Sequence, residues 1–547
     1  MLKRSALAIV LCCAAAGAGS ASELRFCLRS EPKTFQPLLV EDASSETIRY
    51  LTGGVLIRLN RYTQELEGEL ATKWKVSENG RRIDFDLRPG VRFSDGTPFT
   101  CEDVVYTVRR LMDPELHSPT GDAFRSAPGP VEARCTAPSA KSSSNVMVRF
   151  PGPVAALAAQ FDQVAILSSR EAGQPAKTDS AVLGPFEVSE YKPGAYVLLR
   201  RNPYYWKRDA NGHALPYLDS IRLEIQENRE LELLRFRRGE LDIVNRLDPD
   251  MYDRLAADMP HAAVDAGPSL DWETVFFNQV ENAPLPEYKR RWFRNDDFRR
   301  AISEGIRRDD IVRIVYRGHA KAAAGPVSAA NRFWLNPALK PPSGSEAEAM
   351  ALFQHAGFHR AGSALVDRDG NRVEFSMITN AGNKLHERML ALIQQDLARF
   401  GIQLNVVTLD FPSLIERISR TFNYEAVLMG FTGVDLDPSS QMNIWMSSAA
   451  NHQWNPNQKT PATPWEAEVD KLMEAQNASQ DRAKRKVYFD RVQQIVADKV
   501  PIVFLVNPNA LAAVSPSVKN VQPTVLSPQI YWNADRLQIG GTLVSRR

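Results

Sequence analysis

Between Val373 and Met429 the hydrophobic period of the chain switches repeatedly, and few folds absorb such a pattern. Val373 to Thr379 reads as a strand. Leu385, Met389, Leu392, Ile393, Leu397 and Phe400 then fall on one face of a helix that Gly401 stops. Ile402 to Leu409 alternates as a strand, Pro412 opens another helix where its missing N–H costs little, and Tyr424 to Met429 is apolar enough for a buried strand. The order β-α-β-α-β requires parallel strands joined by right-handed crossovers, so this half of the chain is an α/β unit.

The first half reads differently. Leu24 to Leu28, Ile83 to Leu87, Asn145 to Phe150, Phe186 to Tyr191, Tyr196 to Arg200 and Ile221 to Gln226 are strand-like. Among them, Thr100 and Asp103 form a capping box for a helix whose Val104, Val105, Val108, Leu111 and Met112 share a face until Asp113-Pro114. Ser126 to Ser144, rich in Pro, Ala and Ser, reads as a surface excursion. A further helix places Leu231, Leu234 and Phe236 on its apolar face before Gly239. Late in the chain, Asp481 to Asp498 reads as a helix carrying Val487, Val492, Ile495 and Val496. Pro501 to Val506 is then an apolar strand leading back towards the first half.

The N-terminus sets the compartment. Lys3 and Arg4 precede an apolar run from Ala6 to Ala18 and the small residues Gly19-Ser20-Ala21-Ser22, the pattern of a secretory signal peptide cleaved near Ser22. The run falls short of the roughly 18 to 20 apolar residues that span a bilayer. Cys12 and Cys13 do not suit a lipid anchor, because Leu11 rather than a small residue precedes Cys12. Removing Lys3 and Arg4 from the 67 basic residues leaves 65 against 65 acidic ones. Such neutrality argues against nucleic acid or an anionic membrane as partner. About 525 residues then remain, enough for roughly three domains. Of the remaining cysteines, Cys27 sits in the apolar phase of its strand, while Cys101 and Cys135 either pair in an oxidising compartment or stay as thiols.

Catalytic constellations are missing from the sequence: no G-x-S-x-G turn, no phosphate loop, no G-x-G-x-x-G after a strand and no H-E-x-x-H helix. His355 and His359 have the spacing of a metal pair but no third ligand nearby, and Gly357 weakens the helix between them, so no metal is expected. Asp435 and Asp437 have three readings: loop-fixing acceptors, contacts for a cationic ligand group, or an acid-base pair. The aromatics Trp272, Phe276, Phe277, Phe431, Trp445 and Trp454 suit either a core or a closing cleft that stacks on a solute.

Several ordered motifs carry a resemblance. Leu70 to Gly80, Phe85-Asp86-Leu87-Arg88, Val91 to Thr100 with Asp103-Val104, Gly184-Pro185-Phe186, Arg201 to Trp206, Arg238 to Asp242, Phe298 to Ile302 and Gly430 to Pro438 resemble the extracellular solute-binding family 5. That is the oligopeptide-, dipeptide- and nickel-binding class of ABC-transporter components. The resemblance covers nearly the whole chain after the leader. It implies a periplasmic-binding-protein fold: two α/β lobes around a hinge, with an additional α+β domain inserted in the first lobe. The implied partition is 23–57, 184–271 and 507–547 for lobe one, 58–183 for the inserted domain and 272–506 for lobe two. It further implies a monomeric periplasmic protein, with no cofactor and no catalysis, that delivers a peptide or small solute to permease subunits in the inner membrane.

By the same resemblance, Thr34, Trp272, Phe277, Phe431, Asp435, Asp437 and Trp445 are expected at the ligand. In the peptide binders an aspartate three residues before the acidic-Pro pair grips the peptide amine, and here that position is Val434. Burying an ammonium beside valine costs several kcal/mol unless Asp435 takes over. Nickel chelates, haem, opines and oligosaccharides therefore stand beside peptides as solutes. An exported hydrolase using Asp435 and Asp437, and a scaffold or chaperone-like protein, are the remaining readings.

Overall fold

The computed structural model describes residues 22–122, 124, 129–136, 145–172 and 178–540. The leader, with Cys12 and Cys13, and much of the excursion between Ser126 and Ser144 lie outside the described residues.

The alternating half folds as its periods dictate. Glu374–Asn380, Lys384–Ala398, Gln403–Leu409, Phe411–Glu416 and Ala426–Phe431 are strand, helix, strand, helix and strand. The central Glu374–Asn380 pairs in parallel with both of the other strands. Asn383 caps the first helix by accepting the His386 N–H, which satisfies one of the free donors of its first turn. The turn after that helix needs glycine: Gly401 has φ +83°, and a Cβ there would lie 2.3 Å from the Ser363 carbonyl oxygen. Met389, Ile393, Leu397 and Phe400 pack with Phe277 and Phe375 in one core below the sheet. A second core on the other face holds Trp272, Phe276, Trp445 and Trp454.

Lobe one is built on a smaller sheet in which Glu23–Leu28 pairs in parallel with Ser220–Ile225, followed by Tyr196–Arg201 and Phe186–Lys192 in antiparallel order. Cys27 is buried there as a free thiol, and burial pushes its pKa up to about 12, so it is held inert. The inserted domain carries its own antiparallel sheet, ordered Ala71–Ser77, Arg82–Leu87, Asn145–Arg149, Glu132–Thr136. Helix Cys101–Met112 packs on it and starts with the anticipated capping box, the Asp103 carboxylate accepting the Thr100 N–H at 2.7 Å. The same carboxylate accepts from the N–H and hydroxyl of Ser169. A disulfide joins Cys101 to Cys135, fastening the first turn of this helix to the edge strand.

The lobes are connected by strands, and here the structure extends the sequence reading. The strand expected to end at Val506 runs as Ile502–Val514. Its first half pairs with Trp272–Phe277 of lobe two and its second half with Ala263–Pro268 and Ile243–Val244 of lobe one. Asn507-Pro508-Asn509 interrupts the apolar run and reads as a stop. Inside the fold, however, Asn507 donates to the Asp271 carbonyl and Asn509 to the Asp265 carboxylate, so both amides are satisfied within the strand. The Ser269 N–H donates to the Pro508 carbonyl, so the two chain crossings lie side by side.

One helix face departs from the expected phase. In Arg229–Arg237 the buried apolar side chains are Leu233 and Phe236, while Leu231 and Leu234 are exposed. The Asn228 cap fixes where the helix begins, and the i, i+3 pair that meets the core is 233/236. The late helix forms as Arg482–Lys499, with Val492, Ile495 and Val496 buried beside Phe489 and Val487 exposed.

The disulfide closes a loop with a sequence separation of 34 residues, for which chain-entropy arguments give a stabilisation of about 3–4 kcal/mol. The paired substitution Cys101→Ser/Cys135→Ser is expected to lower the denaturant-unfolding free energy of the inserted domain by that order. A non-reducing alkylation of the unfolded protein beginning at Ser22 should label one cysteine; labelling of three would contradict the pairing.

Candidate functional site

Strand Ala426–Phe431 leaves the centre of the lobe-two sheet and runs into the loop 432–437, which is tied down at three points. The Gly433 N–H donates to the Asp271 carboxylate at 3.0 Å, and Asn331 donates to the Leu436 carbonyl at 2.8 Å. The third tie is Asp437. Its Oδ1 accepts the Ser439 N–H at 2.9 Å and so caps the short helix Pro438–Gln441. Both carboxylate oxygens also accept from Arg485, the Nη1–Oδ2 contact measuring 2.9 Å. Arg485 is buried and donates further to Ser439 Oγ and Gln476 Oε1. Asp437 is therefore engaged by a bidentate partner as well as by a helix N–H, and most of its acceptor capacity is spent inside the protein.

Asp435, two residues earlier, has no hydrogen bond or ion-pair partner among the described residues. Its surface is open to solvent, yet the protein crowds it as densely as an interior, because it stands in a recess between lobe two and the inserted domain. That crowding decides its electrostatics. Desolvation pushes its pKa up to about 6, opposed by Arg61 and assisted by Asp162 and Asp437. It faces two spaces. One, of about 1270 Å³, lies between the loop and the inserted domain and reaches Arg49 of the first lobe-one helix. The other, of about 390 Å³, is an apolar recess within lobe two lined by Ile415, Ile418, Phe431 and Val434. At the mouth the two sides touch: Gln64 donates to the Ala330 carbonyl at 2.8 Å, Gln480 to the Val154 carbonyl at 3.3 Å, and Arg482 lies 3.6 Å from Glu65.

The anticipated site residues separate into groups. Phe431 and Asp435 stand together on the recess wall, with Asp437 behind them. Trp272, Phe277 and Trp445 are at most 1% exposed and offer a solute no surface, a correction to the expectation that they contact ligand. The reason is that Trp272–Phe277 lies inside a sheet covered on both faces, so alternation buries its side chains whichever way they point. Phe277 stacks on Phe293 at 5.2 Å between centroids, and Trp272 meets Phe431 at 5.7 Å, bracing it from behind. Trp445 donates to Gln441 and packs against Trp454. Thr34 organises a turn in lobe one, its Oγ1 accepting the Gln36 N–H and its own N–H donating to Ser45. His355 lies 2.6 Å from Asp297 rather than beside a second imidazole.

Sequence reasoning missed the opposite wall. Arg61 and Asp162 form a buried ion pair at 2.9 Å near the cleft, and Asp271 supplies the acceptor that holds Gly433. These partners lie about a hundred or more residues apart along the chain, and no local pattern announces them.

The arrangement of the chain matches the bacterial extracellular solute-binding proteins, family 5, over residues 65–453. The chain belongs to that family. It is similar to the dipeptide-binding protein of Escherichia coli K12, with 24% identity covering 91% of this chain and 92% of the relative. Among solved structures, the ABC transporter substrate-binding protein CtaP from Listeria monocytogenes superposes with a TM-score of 0.78 at 20% identity, covering 95% of this chain and all of that one. NikA from Brucella suis, in complex with Fe(III)-EDTA, gives 0.76 at 18% identity, covering 94% and 99%. At these identities the superpositions establish the shared two-lobe fold. The family to which the chain belongs consists of solute binders that work with ABC permeases, and no helix among the described residues is long and apolar enough to cross a membrane.

If Arg485 holds the loop as described, Arg485→Gln leaves the Asp437 anion without its partner and should cost about 2–4 kcal/mol in urea unfolding. Asp435→Asn, which breaks no contact, should leave the denaturation midpoint at pH 7 unchanged or raised.

Proposed function

We propose that this chain captures a peptide or peptide-like solute in the cleft walled by the loop 432–437 and delivers it to the inner-membrane permease subunits of an ABC importer. In this reading lobe one comprises 23–57, 184–271 and 507–547, the inserted domain 58–183 and lobe two 272–506. The chain works as a periplasmic monomer, its leader removed near Ser22, and performs no bond chemistry. The mechanism is hinge bending: the paired crossings at 269–271 and 507–509 flex, the solute touches both sides, and the closed population grows by the difference in contact energy.

The observation that carries the reading is Asp435: an unpartnered carboxylate on the cleft wall, beside an apolar recess. It replaces the acidic residue missing at Val434, and Phe431 and the recess take an apolar side chain. Asp437, spent on Arg485, is structural, which removes one member of a two-carboxylate hydrolase. A second reading is a solute without a free amine, such as a metal chelate of the kind NikA holds. It is favoured by Val434, which packs at the edge of the lobe-two core.

The test is a thermal-shift screen of dipeptides, metal chelates, opines and oligosaccharides, followed by calorimetry on the strongest hit. For an amine-bearing solute, affinity should rise about tenfold from pH 5 to pH 7 as Asp435 ionises through about 6, and Asp435→Asn should abolish that rise. The empty chain shows the opposite trend. A carboxyl whose folded pKa is raised from 3.8 to about 6 favours the native state while protonated, so stability falls as pH climbs from about 4 to 6. A tight solute with no amine, insensitive to Asp435→Asn, would select the second reading.

A further inference from the structure

A third cavity, of about 280 Å³, lies where the lobes meet beside the long strand. Arg229, Arg246 and Leu511 of lobe one line it together with Glu273, Tyr316 and His319 of lobe two. Its lobe-one wall carries two arginines together with Asp248. The backbone carbonyl of Arg246 accepts from both Arg29 and Arg229, and Arg29 donates also to the Asn245 carbonyl at 2.9 Å. Arg246 itself has φ +55°, is exposed, and its guanidinium donates to nothing among the described residues. Among the described residues, none of Arg29, Arg229 and Arg246 has a carboxylate within 4.0 Å.

Most acids of this region are engaged by neighbours, Glu232 excepted. Glu273 accepts from Tyr316 at 3.1 Å and lies 3.0 Å from His386. Asp248 caps its helix through the Met251 N–H, and Asp271 accepts the Gly433 N–H. Glu232 is buried behind Arg29 and Arg229 and attracts both without pairing with either. What remains are cations with donors to spare. Desolvation lowers Arg29 to about 10 and lowers Arg229 as well, with Glu232 opposing the shift in both and neighbouring guanidinium groups adding to it.

We propose that Arg246 and Arg229 form an oxyanion subsite that receives the carboxylate end, or an equivalent phosphate, of the bound solute. The inference deepens the proposed capture of a peptide-like solute and rests on it. Asp271 relates the cavity to the ligand loop, lying in the field of Arg246 while accepting the Gly433 N–H. Two guanidinium forks match a carboxylate bidentately. The subsite therefore selects anionic or zwitterionic solutes over neutral sugars.

The experiment uses the full chain without its leader, with malonate, inorganic phosphate, dialanine and dialanine amide as probes. Titrations are read by calorimetry and melting temperature at constant ionic strength in chloride. Malonate should bind saturably, weaken at least tenfold in Arg246→Gln and in Arg229→Gln, and bind unchanged in the surface control Arg238→Gln. Dialanine should bind at least tenfold more tightly than its amide, a gap that closes in Arg246→Gln. Phosphate in place of malonate, with the same dependence on Arg246, keeps the subsite and changes the oxyanion. Equal malonate and phosphate binding by wild type and both variants, or none at all, overturns the subsite. Peptide binding indifferent to amidation overturns it while leaving solute capture intact. Arginine-dependent malonate binding without peptide binding keeps the subsite and removes the peptide reading. Cooperative melting of each variant confirms folding, and the two substitutions stand in for one another if either fails.

Discussion

One strand belongs to both lobes, and the rest of the architecture follows from it. Ile502–Val514 hydrogen-bonds to lobe two along its first half and to lobe one along its second. Because a backbone ladder cannot be broken inside a protein without leaving polar groups unsatisfied, the lobes are bound at this edge, and elsewhere they meet through side-chain contacts such as His319–Asp253 and Arg388–Asp250. Asn507 and Asn509 at the crossover spend their amides on Asp271 and Asp265, which keeps the junction paired although Pro508 supplies no N–H. A cleft opposite a paired edge is the geometric consequence.

Much of this was legible in the residues. The β-α-β-α-β segment was readable because each element carries its own period and its own stop, Gly401 and Pro412 among them. The Thr100–Asp103 box was readable because capping is a local exchange of two hydrogen bonds. The full length of the crossing strand was not: Asn507-Pro508-Asn509 has the chemistry of a turn, and only distant partners turn it into strand. The helix phase at Leu231 and Leu234 failed for a related reason, since apolar residues on a short helix are placed by its cap and its neighbours.

The site shows the same division more sharply. Sequence reasoning located the loop 432–437 but could not rank its two carboxylates, which differ through Arg485, a residue 48 positions beyond Asp437. Bidentate pairing makes one aspartate structural, and desolvation makes the other a weak acid poised near neutrality. The aromatics illustrate how composition misleads: Trp272, Phe277 and Trp445 have the chemistry of a binding cleft and the positions of a core. Their contribution is indirect, Trp272 supporting Phe431 from the interior side.

Everything functional in this account requires the lobes to move about the shared strand and close on a solute. Small-angle X-ray scattering, with the chain first empty and then saturated with the tightest-binding solute found by screening, addresses that requirement directly. The account predicts a smaller radius of gyration on saturation. An unchanged scattering profile, in a sample that calorimetry shows to be fully bound, would contradict it.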